Sequence, residues 1–84
     1  MPLEAVQVTQ KIKLTRARAQ VRLSQQQLAT RGKVSKRVIA RAEAGEVISQ
    51  LSAWGILNAL NEERVARGMI PLELEQLEWN VEGE

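Results

Sequence analysis

The sequence predicts an all-α domain: a small bundle of four to five helices, followed by a C-terminal extension of strand or helical character. Three observations predict it. Serines that start helices and glycines that stop them recur in matched pairs, Ser24 with Gly32, Ser35 with Gly45, and Ser49 or Ser52 with Gly68. Between them the apolar residues recur at helical spacing. The 84 residues suffice for one domain with a single core and leave no room for a second.

The elements follow in order. Residues 1–9 read as an arm, where Val6 and Val8 alternate with Gln7 and Thr9 and allow a short strand. From about Gln10 the pattern is helical, with Ile12, Ala19 and Leu23 near one face, flanked by Leu14, Ala17 and Val21. Ser24, followed three residues later by Gln27, is a capping box that opens a short helix burying Leu28 and Ala29, with Gly32 as its stop. Ser35 caps the next helix, Lys36 to Ala44, with Ile39 and Ala42 inward and Lys36, Arg37, Ala40 and Arg41 outward. Ser49 or Ser52 opens a longer helix with an expected buried stripe of Leu51, Trp54, Leu57 and Leu60, running to Gly68, with Pro71 beyond. Residues 10–68 thus form the domain proper and 69–84 an acidic, apolar extension. In that extension Leu72 and Leu74, then Leu77, Trp79 and Val81, alternate with polar residues, and the parity slips at Gln76. Two short strands, one strand with a bulge, or a helical turn around Glu73–Leu77 all fit.

Charge is divided along the chain. Between Glu4 and Glu43 stand ten Lys and Arg and no acid, while the chain from Glu43 onward carries nine Glu against Arg64 and Arg67. The net charge of +2 conceals this asymmetry, which suits a surface that meets a polyanion. Only two aromatics, Trp54 and Trp79, are present, which argues against modules that stack single-stranded bases. His, Cys, Tyr and Asp are all absent. No catalytic residue, metal site or disulfide is therefore expected, nor any cofactor. No apolar run approaches the ~20 residues that span a bilayer, and the first residues lack the pattern of a signal peptide. A soluble, cytoplasmic protein is expected.

Two short helices joined by a tight turn, the second with a basic outer face, form a helix-turn-helix. The run Leu23-Ser24-Gln25-Gln26-Gln27-Leu28-Ala29, then Val34-Ser35, Ile39 and Glu43-Ala44-Gly45, resembles the phage Cro and lambda-repressor-like regulators, with Trp54, Leu57, Ala59 and Leu60 continuing the likeness. The resemblance covers roughly Ile12 to Leu60. It implies a lambda-repressor-like bundle with Lys36–Ala44 as recognition helix. It also implies base-reading positions at Ser35, Lys36, Arg37 and Arg41, with Val38 or Ala40 available to a thymine methyl. For Lys36 and Arg37, base and phosphate contacts are both open, whereas Arg41 leans toward a base. By the same resemblance Gln25 contacts the DNA backbone, and Arg18 pairs with Glu43. Lys33 and Arg31, with Lys11 and Lys13, suit phosphate or solvent. In one respect the chain departs from the family: its turn glycine, Gly32, stands one place early, which either puts Lys33 where φ > 0 is needed or rearranges the turn so that Val34 takes over the missing apolar contact.

The function expected is a transcriptional regulator that binds double-stranded DNA. A repressor or autoregulator of bacterial, phage or plasmid type is the leading form, bound as a homodimer to a palindromic operator. Leu72, Leu74, Leu77, Trp79 and Val81 would form the dimer interface or else cover their own helices. The rival reading is an antitoxin or adaptor whose acidic half binds a protein partner. Neither a membrane nor a small-molecule ligand is expected as a partner.

Overall fold

The computed structural model describes residues 11–83; the arm at residues 1–9 lies outside them. Four helices carry the fold: α1 (Leu14–Gln20), α2 (Gln25–Gly32), α3 (Lys36–Glu43) and α4 (Gln50–Ala66). Four two-residue strands accompany them: β1 (Ile12–Lys13), β2 (Val47–Ile48), β3 (Leu77–Glu78) and β4 (Asn80–Val81), with a 3-10 turn at Leu74–Gln76. The molecule is thus a small all-α bundle with short strands at its edge.

Three serine caps set the helix starts. Ser24 accepts from the Gln27 N–H at 3.0 Å while Gln27 Oε1 accepts from the Ser24 N–H at 2.9 Å. Ser35 caps α3 through Val38, and Ser49 caps α4 through Ser52. Each cap satisfies an N–H that has no partner inside the helix.

All four helices end in one way. The sixth residue of each closing loop donates back to the first: Leu23 to Arg18, Val34 to Ala29, Glu46 to Arg41 and Met69 to Arg64. This closure needs a left-handed residue just before the donor. Gly45 (φ 86°) and Gly68 (φ 76°) supply it for α3 and α4, whereas α1 and α2 use Arg22 (φ 57°) and Lys33 (φ 58°).

Gly32 is needed elsewhere. It packs against Gly55 in α4, and a Cβ on Gly55 would lie 2.5 Å from the Gly32 carbonyl oxygen. The early glycine of the turn therefore serves the α2–α4 crossing, and the left-handed position falls to Lys33.

The core comprises Leu14, Ala17, Val21, Leu28, Ala29, Ile39, Ala42, Ile56, Leu57 and Leu60, among others. Each large aliphatic side chain so buried is worth about 1.5–3 kcal/mol of transfer free energy. Two expectations are corrected. Helix α1 begins at Leu14, since Ile12 is in a strand, and its inner face is Leu14, Ala17 and Val21 while Ala19 is exposed. In α4 the stripe is rotated: Ala53, Ile56, Leu57, Ala59 and Leu60 are buried, but Leu51 and Trp54 are exposed. The close α2 backbone at Gly55 draws that side of the helix inward.

The C-terminal segment contains both the turn and the strands between which its sequence was divided. The slip of parity at Gln76 is the end of the 3-10 turn. β3 then pairs in parallel with β1, Ile12 opposite Leu77, and β4 pairs in parallel with β2, Ile48 opposite Val81. Leu72, Leu77 and Val81 enter the protein's own core, with Leu74 and Trp79 packed against it. Of the two roles expected of these five residues, this packing is the covering of their own helices. Asn61 fastens the segment by bonding both the N–H and the carbonyl of Leu72. The buried Arg64 does so too, donating to the Ile70 carbonyl at 2.8 Å and to Gln20 Oε1 at 2.9 Å.

Candidate nucleic-acid interface

Helix α3 is held by Ile39 and Ala42, both buried, which leaves Lys36, Arg37, Ala40 and Arg41 exposed. Val38 is partly covered and packs against the core. Lys36 and Arg37 stand in the first turn, immediately after the cap at Ser35. Neither side chain has a hydrogen-bond partner or ion pair among the described residues. Ser35 is engaged through its Oγ, so its side chain orders the start of α3.

Arg41 lies one turn beyond Arg37 and therefore on the same side of the helix. Its Nε donates to Glu46 at 3.1 Å and its Nη2 to the Val47 carbonyl at 3.1 Å. The residue expected to read a base thus also braces the loop that follows α3. Sequence reasoning missed this brace, although an acid five residues after Arg41 was a visible signal.

Glu43 closes the other end of α3. Arg18 Nε donates to Glu43 Oε2 at 2.7 Å and Arg18 Nη2 to Oε1 at 3.3 Å, both side chains being mostly covered. A third Arg18 N–H donates to the Leu23 carbonyl at 3.1 Å. Gln25 joins them, its Nε2 donating to Glu43 Oε1 at 2.8 Å. One carboxylate therefore ties α1, the start of α2 and the end of α3. The Gln25 side chain is thus engaged within the protein.

Lys33 projects from the turn between α2 and α3 and is exposed. Arg31 does not share that side. It donates to Glu63 of α4 at 2.8 Å and lies 3.6 Å from Glu62. The hydrogen bond to Glu63 holds the Arg31 guanidinium above its ordinary range. The same bond, with a second from Arg67, holds the Glu63 carboxyl below its usual 4.5. Arg31 thus braces α2 on α4.

Among the described residues no group of three or more His, Cys, Asp or Glu is placed to hold a metal ion. No described helix is long and apolar enough to cross a membrane.

A family model described as helix-turn-helix matches residues 14–67, from the start of α1 to the end of α4. No curated protein and no solved structure matches the chain.

Proposed function

Because the chain belongs to the Cro and lambda-repressor-like helix-turn-helix family of DNA-binding regulators, we propose that it is a repressor or autoregulator that binds a palindromic operator as a homodimer. Helix α3 enters the major groove, where recognition helices of this motif place their N-terminal residues against base edges. The observation that carries this reading is the pair Lys36 and Arg37, exposed and without partners among the described residues, at the start of a helix whose other face is locked in the core. Both donate to guanine O6 and N7 or to phosphate.

Arg41 reads a base one turn further along. Its bonds to Glu46 and Val47 leave other guanidinium N–H groups for this and fix its plane. Ser35 contributes at the groove edge while capping α3. Lys33 and the Gln25 backbone N–H anchor phosphates on either side, the latter helped by the partial positive charge at the α2 N-terminus.

The test is a binding selection on random duplex DNA at two salt concentrations. A recovered palindrome, with a log–log salt slope near −7 for about eight phosphate contacts, is the expected result. Affinity set by salt alone, with no enriched sequence, would overturn the reading and favour a protein-binding role.

A further inference from the structure

Arg41 can offer a base only what its own bonds leave over. Nε and Nη2 share one edge of the guanidinium, and that edge is taken by Glu46 and the Val47 carbonyl, each at 3.1 Å. The far end of the group, Nη1 with the second Nη2 hydrogen, remains. Its two parallel N–H groups match guanine O6 and N7. A bidentate contact needs both N–H groups nearly in line with their acceptors, so a tilt of the plane weakens both together. The plane is set by the loop that carries Glu46 and Val47.

That loop is not held by the helices alone. Gly45 turns the chain away from α3 at φ 86°, and the Glu46 N–H donates back to the Arg41 carbonyl at 2.9 Å. Past this point the support comes from β4, beyond the helices. Asn80 stands opposite Val47 in the parallel pairing, and its Nδ2 donates to the Gly45 carbonyl at 2.6 Å. One residue thus secures the chain on both sides of Glu46. A further bond, from the Glu82 N–H to the Ile48 carbonyl at 2.7 Å, fastens the strand beyond. Gly45, Glu46, Val47 and Asn80 are all exposed, so hydrogen bonds rather than packing hold the loop here.

We infer that Asn80 is a positioning residue for base recognition: by holding Gly45 and Val47 it fixes the guanidinium of Arg41, and sequence preference on α3 therefore depends on a side chain of the C-terminal segment. The inference deepens the operator reading proposed above and rests on Arg41 reading a base.

The test compares Arg41→Ala, Asn80→Ala and the double variant on the duplex recovered by selection and on its single-base variants. Arg41→Ala should mark the position that Arg41 reads by a loss of preference there of about tenfold. Asn80→Ala should relax preference at that same position about threefold and leave the other positions and the salt slope unchanged. In the Arg41→Ala background it should relax nothing further. Far-ultraviolet circular dichroism should be unchanged, because Asn80 is exposed. If Arg41→Ala relaxes no position, or if Asn80→Ala keeps full preference at the Arg41 position or weakens every position alike, the inference is overturned while the operator reading stands. A selection that returns no sequence overturns the operator reading, and the inference falls with it. Without DNA, nuclear magnetic resonance relaxation should show the Arg41 Nε–H ordered in the wild type and mobile in Asn80→Ala. Equal order in the two overturns the inference whatever the selection returns.

Discussion

Gly32 and Gly55 bring the backbones of α2 and α4 together, and a methyl group on either would press on the other's carbonyl oxygen. Gly55→Ala should gain about 1 kcal/mol of helix propensity. Overpacking against backbone, which cannot swing aside, costs about 1–3 kcal/mol. The clash should prevail, so the variant should melt below the wild type. A melting temperature equal to or above the wild type's would show that the crossing has slack.

Lys33→Gly should act in opposite directions on stability and on binding. Relieving a left-handed lysine gains up to about 1 kcal/mol. Loss of a cation beside DNA should lower affinity alike for all sequences and reduce the salt slope by about 1. Thermal melting and a salt titration on the same variant check both halves.

Glu43→Gln keeps the shape of the junction and removes its charge. Charge-assisted hydrogen bonds of this kind are worth about 1.5–3 kcal/mol, and two donors besides the Arg18 Nε depend on this carboxylate. Stability should fall while sequence preference is kept. An unchanged melting temperature would remove Arg18–Glu43 from the stabilising interactions.

Lys36→Ala and Arg37→Ala separate reading from anchoring. Removing a side chain that reads a base should cost about 1–3 kcal/mol and relax preference at one operator position. Removing one that only anchors a phosphate should weaken every sequence equally. Competition binding with single-base operator variants gives the answer for each residue.

Glu63 gives a pH dependence. Its bonds to Arg31 and Arg67 lower its folded pKa below the usual 4.5. The stabilisation is therefore complete above 4.5 and is lost as pH falls through the lower folded value. Urea midpoints followed downward from neutral pH should drop more steeply below about 4.5 for the wild type than for Glu63→Gln. Parallel curves would mean that the carboxylate contributes nothing.

The helix-turn-helix was legible because its signals are local. Ser24, Gln27 and Ser35 act on backbone groups three residues away, and the spacing of Leu28, Ile39 and Ala42 records one buried face. The rotated stripe of α4 was not legible. Leu51 and Trp54 fit a helical face as well as Ala53 and Ile56 do, and hydrophobicity favours the larger pair. Gly55 decides between them, and its meaning depends on Gly32, in another helix. The role of Arg64 was hidden for a similar reason. Its acceptors, Gln20 and the Ile70 carbonyl, are set by the tertiary fold. At the site, exposed cations on α3 could be foreseen, but the turning of Arg31 toward Glu63 could not, since both of its faces offered charge.

The parallel strands β3 and β4 also bear on the order of folding. They join Leu77 to Ile12 and Val81 to Ile48, pairings between segments far apart in sequence. The helices can close early through short loops, whereas these two pairings must wait for a long chain segment to return. During synthesis the recognition helix can therefore form well before the segment that clamps its following loop has left the ribosome. Trimming that segment should speed unfolding more than it slows folding, as expected for interactions made after the transition state.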